Sequence, residues 1–134
     1  MIPPFDDNGY LPPGIHTATM AEIAARFGET SQLRRVQMES LRWLADLAWR
    51  AGVQRIIVNG SFVTDRIEPN DVDCALLVGE DYPHDRKSDE ELAAGLPFID
   101  LHIVEQEDFD FFATKLFTSD RDLVPKGMIE IVRS

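Results

Sequence analysis

The residues of this chain whose types and spacing can do chemistry are Gly60 and Ser61, closing one apolar run, Asp71 and Asp73 around Val72, opening a second, and Asp100, inside a third. Side chains alternate across a strand, so Asp71 and Asp73 share one face and their carboxylates converge. Alone, such a pair is electrostatically costly and drives one pKa upward; a divalent cation between the oxygens reverses the penalty. Magnesium (or manganese) suits the position, because magnesium takes oxygen ligands and is commonly held by one or two carboxylates plus substrate phosphates. Glycine lets a phosphate approach the backbone, and serine offers it an amide and a hydroxyl. Asp100 interrupts the apolar stretch Phe98 to Val104, and burying an unpaired carboxylate costs several kcal/mol unless it meets a cation, a metal or water. Three acids of this kind hold metal ions ~4 Å apart, which stabilise the attacking and leaving oxygens of an in-line phosphoryl or nucleotidyl transfer.

These residues need a scaffold. Arg55 to Asn59, Val72 to Val78 and Phe98 to Val104 read as strands, with Ile99, Leu101 and Ile103 on one face of the third and Asp100 and His102 on the other. Residues 62–70 can form a turn or two and return the chain as a neighbouring strand, so that phosphate site and metal site face each other; a helical turn starting at Ser61 or Phe62 would add its dipole. Thr19 is placed to cap a helix over Met20 to Phe27 that stops at Gly28. Thr30 or Ser31 caps the longest helix, Leu33 to about Ala51, whose apolar stripe of Val36, Leu41, Leu44, Leu47 and Ala48 is widened by Trp43 and Trp49. Ser88-Asp89-Glu90-Glu91 opens a brief helix ending at Gly95, Glu107 to Phe117 a further helix rich in phenylalanine, and Met128 to Val132 a last strand. Pro3, Pro4, Pro12 and Pro13 with Asn8-Gly9 and Gly14 make residues 1–18 an irregular N-terminal arm, ahead of one domain over 19–134. The expected fold is a small α/β (α+β) domain with a mixed sheet of about four strands.

At 134 residues, 44% hydrophobic and 28% charged, the chain has the composition of an ordinary globular domain. No stretch is apolar enough to cross a bilayer, the N-terminus lacks the pattern of a signal peptide and Cys74 stands alone, which together point to the cytoplasm. A formal charge of −11 disfavours an extended nucleic acid as the main partner. His16, His84 and His102 have no zinc spacing. His102 alone shares the expected face of Asp100, where it could touch substrate or orient that acid. Arg66 and Lys126 are candidates for triphosphate oxygens.

Gly-Ser, Asp-x-Asp on the next strand and a third acid on a later one resemble the signature of the polymerase-beta-like nucleotidyltransferase superfamily, matched here by Gly60, Ser61, Asp71, Asp73 and Asp100. The chain looks similar to a small bacterial group within it through Leu11-Pro12-Pro13-Gly14-Ile15-His16, Gly60 to Thr64, Pro69 to Asp73 and Pro125-Lys126-Gly127. Its spacer, residues 62–70, is one residue shorter than is usual in the antitoxin-like minimal members. The resemblance implies that Gly60 and Ser61 hold the phosphates of a nucleoside triphosphate, that Asp71, Asp73 and Asp100 bind magnesium, and that a nucleoside monophosphate passes to a hydroxyl acceptor on a protein, an RNA end or a small molecule, with pyrophosphate released. Larger members carry a helical domain that selects base and acceptor, so a protein partner or a homodimer is expected to complete the site. The competing expectation is an antitoxin-like, partner-binding module that uses the helix bearing Trp43 and Trp49 and catalyses little or nothing.

Overall fold

The structure is a computed structural model and describes residues 2–111, 119 and 123–133. Its elements in chain order are β1 (Gly14–Ala18), α1 (Met20–Phe27), α2 (Gln32–Ala51), β2 (Arg55–Asn59), a single 3₁₀ turn (Ser61–Val63), β3 (Val72–Leu77), α3 (Arg86–Ala94), β4 (Ile99–Val104), α4 (Gln106–Phe111) and β5 (Gly127–Ile131). The five strands form one mixed sheet in the order β1-β5-β2-β3-β4. β1 runs parallel to β5 and β3 parallel to β4, while β2 is antiparallel to both of its neighbours.

The helix boundaries follow from local chemistry. Thr19 caps α1 in a capping box with Glu22, each side chain accepting from the other residue's backbone amide. Ser31 accepts from the Arg34 amide at 3.1 Å to start α2, and Gly52 ends it in the left-handed region at φ 94°. α3 begins at Arg86, two residues ahead of the serine expected to open it, because Asp85 takes the boundary position and accepts from the Ser88 hydroxyl at 2.6 Å. On α2 the buried face comprises Arg34, Gln37, Met38, Leu41, Leu44, Leu47, Ala48 and their neighbours. Val36 and Trp43, counted in the apolar stripe from sequence, lie off it, Trp43 with 49% of its surface exposed.

Alternation along the strands separates two packing layers. Ile56, Val58, Val72, Cys74, Leu76, Ile129 and Ile131 join Ile23, Phe27, Leu41, Leu44, Leu47 and Leu92 of α1, α2 and α3 in the main core, with Ile99, Leu101 and Ile103 packed against it. Ile57, Ala75, Leu77 and Met128 face the other way, against Phe109 of α4. Phe112 and Phe117, part of the helix expected over 107–117, lie outside the described residues; Phe111 is exposed.

The fold is the expected small mixed α/β domain, and its sheet, expected at about four strands, has five among the described residues. One expectation is corrected: the end of the arm is a strand, Gly14 to Ala18 pairing in register with Gly127 to Ile131. The prolines end at Pro13, so every amide of β1 is free to pair, and strand formation depends on the distant β5 rather than on the composition around it. The preceding segment is irregular yet docked. Leu11 is fully buried, its carbonyl accepts from Gly127 N at 2.9 Å, and Phe5 sits 6.0 Å from the Phe27 ring under the Arg26 guanidinium. No described helix is long and apolar enough to cross a membrane.

Candidate active site

Asn59, Asp73 and Asp100 occupy one row across three adjacent strands, Asn59 opposite Asp73 and Asp73 opposite Asp100. Alternation puts this row on the sheet face away from α2, the face that α4 partly covers. Asp73 and Asp100 stand opposite each other in register, and their charges repel. Burial first, and then Asp100, push the Asp73 carboxyl up to about 6; Lys126 opposes the rise and Asp71 adds a smaller contribution to it. Asp100 is the exposed partner, with 57% of its side chain accessible, and His102 Nε2 lies 3.7 Å from its Oδ1 on the same face. Asp71 precedes β3 by one residue and is exposed, so it stands at the rim of the pair rather than in the row.

Gly60 is shaped by this pair. It adopts φ 82° and ψ −167°, a conformation open essentially to glycine alone, and a Cβ there would fall 2.1 Å from Asp73 Oδ2. The group that approaches its Cα is thus the carboxylate itself. Ser61 opens a 3₁₀ turn of three residues, too short for a helix dipole of consequence. Its hydroxyl oxygen accepts from Asn70 N at 3.1 Å, closing the loop on itself, and its carbonyl accepts from the Thr64 hydroxyl at 2.7 Å. The Ser61 O–H remains able to donate.

A cleft of about 640 Å³ opens beside these residues and is lined in part by Gly60, Ser61, Arg66, Asp73, Lys126 and Tyr10. Of the residues expected at the site, all but Asp71 and Asp100 border this cleft. Asp100 reaches it only through Asp73, and Asp71 flanks it. Sequence reasoning missed two contributors. Tyr10 comes from the N-terminal arm, which crosses the loop through a β-bridge from Tyr10 to Thr64 and a hydrogen bond from Asp65 N to Gly9 O at 3.0 Å. Arg34 lies 2% exposed beneath the same loop. Its signal was available, because it precedes Leu41 by two helical turns and so puts a charge on the core stripe.

Among the described residues no group of three or more His, Cys, Asp or Glu side chains is arranged to hold a metal ion. The expected trio is thus a close pair with a third acid at its edge. The pair by itself fits a divalent cation, since two carboxylates driven together beside a polar cleft repel each other until a cation or a shared proton intervenes. His16 Nε2 donates to the Pro12 carbonyl at 2.7 Å, since a carbonyl can only accept. His84 pairs with Asp81 at 2.8 Å, and Cys74 is a buried thiol whose pKa burial pushes up. None of the three belongs to the site.

Fold and site define a small α/β domain in which a carboxylate pair on a mixed sheet abuts a glycine-serine turn and an open polar cleft. The chain belongs to a family described as a family of unknown function (DUF6932), matched over residues 3–132. That span takes in the docked arm as well as the sheet. No curated protein and no solved structure matches the chain.

Proposed function

We propose that this protein is a divalent-cation-dependent nucleotidyltransferase of the polymerase-beta-like kind, transferring a nucleoside monophosphate from a triphosphate to a hydroxyl acceptor. The observation that carries the reading is Asp73, held between Asp100 in the adjacent strand and Gly60 at the cleft. Ser61 donates its hydroxyl to a phosphate oxygen, and Arg66 and Lys126 supply cationic donors along the same wall. Asp73 and Asp100 would hold magnesium or manganese, with Asp71 the third acid nearby, and the ion when bound would offset the charge that develops on the phosphate oxygens. The acceptor oxygen bonds to the α-phosphorus as the bond to the β-phosphate oxygen breaks, and pyrophosphate leaves. Asp100, the more exposed acid, is placed to take the acceptor proton, with His102 beside it. On this reading the protein works where nucleoside triphosphates are supplied, in the cytoplasm.

The test is incubation with each labelled nucleoside triphosphate and magnesium, with protein and RNA-end acceptors supplied, comparing wild type with Asp71→Asn/Asp73→Asn. Label transfer that disappears in the double variant supports the enzyme; a wild type that neither binds nor transfers any nucleotide rejects it. One observation favours a second reading, a partner-binding module: Trp43 and Val36 are both exposed on α2, two turns apart on one face. Stable capture of a partner by wild type and double variant alike, broken by Trp43→Ala, would favour that role.

A further inference from the structure

The loop that joins Ser61 to Asp71 is held from beneath by two buried polar side chains of α2, one helical turn apart. Arg34 Nη1 donates to Phe27 O at 3.0 Å and Phe62 O at 2.7 Å, Nη2 donates to Thr64 O at 2.9 Å and to Arg66 O, and Nε donates to Arg66 O at 3.0 Å. Gln37 Nε2 donates to Pro69 O at 2.8 Å. A guanidinium has five N–H donors in a fixed fork, and all of Arg34's are thereby matched, to carbonyls of alternate loop residues and of the end of α1. The ring of Phe62 lies 5.3 Å from its central carbon. Burying a cation costs several kcal/mol, and position 34 lies on a face otherwise suited to an aliphatic side chain, so packing alone does not call for arginine. What the arginine accomplishes is to bind three carbonyls of a surface loop at once, and this loop carries Arg66 and follows directly on Ser61.

We propose that Arg34 is a positioning residue for phosphate binding: by fixing residues 62–66 from the core side, it holds Ser61 and Arg66 oriented toward the cleft before any ligand arrives. The inference rests on the nucleotide-binding reading for the ligand's identity, while the loop clamp is independent of it. Preorganisation of this kind acts on affinity, because a loop ordered in advance loses less conformational freedom on binding. Lysine in the same place keeps the charge but has three donors on a flexible stem and cannot span the carbonyl set.

The experiment compares wild type, Arg34→Lys and Arg34→Met by hydrogen–deuterium exchange and by calorimetric titration with magnesium and each nucleoside triphosphate in turn. Arg35→Lys, on the exposed side of the same helix, is the control. Expected are a wild-type fold by circular dichroism, faster exchange confined to residues 61–68, and an affinity lower by ~10-fold for the two Arg34 variants, with the control unchanged. Arg34→Lys keeps a cationic donor among the carbonyls and Arg34→Met keeps the side-chain volume, so melting curves of the two establish in which variant the domain is folded and loop exchange is read there. Exchange that rises evenly over the whole domain, or unchanged loop exchange with wild-type affinity, overturns the proposal. A wild type that binds no nucleotide rejects the functional reading and the phosphate role together, whereas binding by wild type and variants alike rejects the positioning role alone.

Discussion

Gly60 and Asp73 are in mutual contact in a way that only glycine permits: a Cβ at position 60 would stand 2.1 Å from Asp73 Oδ2, on a backbone at φ 82°. Both constraints act at the same residue, one from its own dihedral and one from the next strand. Gly60→Ala is therefore expected to destabilise the fold by ~1–3 kcal/mol through backbone strain, and to displace the Asp73 carboxylate. Urea denaturation measures the first effect. Loss of the magnesium-dependent rise in melting temperature measures the second, and a variant with wild-type stability and wild-type magnesium response would contradict the contact.

The Asp73 carboxyl has an ordinary value of 3.8 and is pushed up to about 6 by burial and by Asp100. The folded state therefore binds this proton more tightly than the unfolded chain. The stability it contributes is complete below pH 3.8 and is lost as pH rises through about 6. Asp73→Asn removes that loss. Its stability relative to wild type should improve between pH 4 and pH 7 by ~1 kcal/mol, a figure reduced from the full linkage value because the group is only partly buried. Chemical denaturation at the two pH values checks the sign, and added magnesium should narrow the gap by stabilising wild type alone.

Lys126 acts on the same carboxyl from the cleft wall, lowering its pKa. Lys126→Met should move the Asp73 titration above about 6, readable by carboxyl-carbon NMR. It should also weaken binding of a triphosphate by ~5- to 10-fold through loss of one cationic contact. A titration that stays in place would show that the lysine charge does not reach the pair.

On the covered part of the same face, Arg55 and Glu130 form a two-point ion pair at 3.0 and 2.6 Å between β2 and β5, and the Arg55 guanidinium lies 4.9 Å from the Phe109 ring centre. The pair raises the Arg55 pKa and ties α4 to the sheet. Arg55→Ala is expected to cost ~1–2 kcal/mol, and a double-mutant cycle with Glu130→Ala to give a coupling of ~1 kcal/mol, modest because Arg55 is 38% exposed. Unfolding free energies of the four proteins measure it.

Features with a short-range cause were legible in the chain. α1 lies between Thr19 and Gly28 as its capping residues require, and α2 runs from the Ser31 cap to the left-handed Gly52. The division of β4 into an apolar face of Ile99, Leu101 and Ile103 and a polar face of Asp100 and His102 also holds. The misreadings had distant causes. β1 is a strand because β5 lies beside it, 113 positions on in the register of Gly14 with Gly127, and the prolines ahead of it obscured the pattern. Val36 and Trp43 count toward a helical stripe only when the stripe's centre is unknown; packing on the sheet fixed that centre at Leu41 and Leu44.

By itself the sequence determined the helices α1 and α2 with their ends, the strands β2 to β5, and which side chains bear charge beside apolar runs, because caps, glycine dihedrals and side-chain periodicity operate within a few residues. Only the tertiary structure decided that Asp73 faces Asp100 while Asp71 stays at the rim, that the Ser61 hydroxyl accepts from Asn70, and that Arg34 lies under the loop. Those relationships depend on strand register and on how α2 and the N-terminal arm settle against residues 62–70. Register and docking come from the burial of whole faces at once, and no local window of residues contains that information.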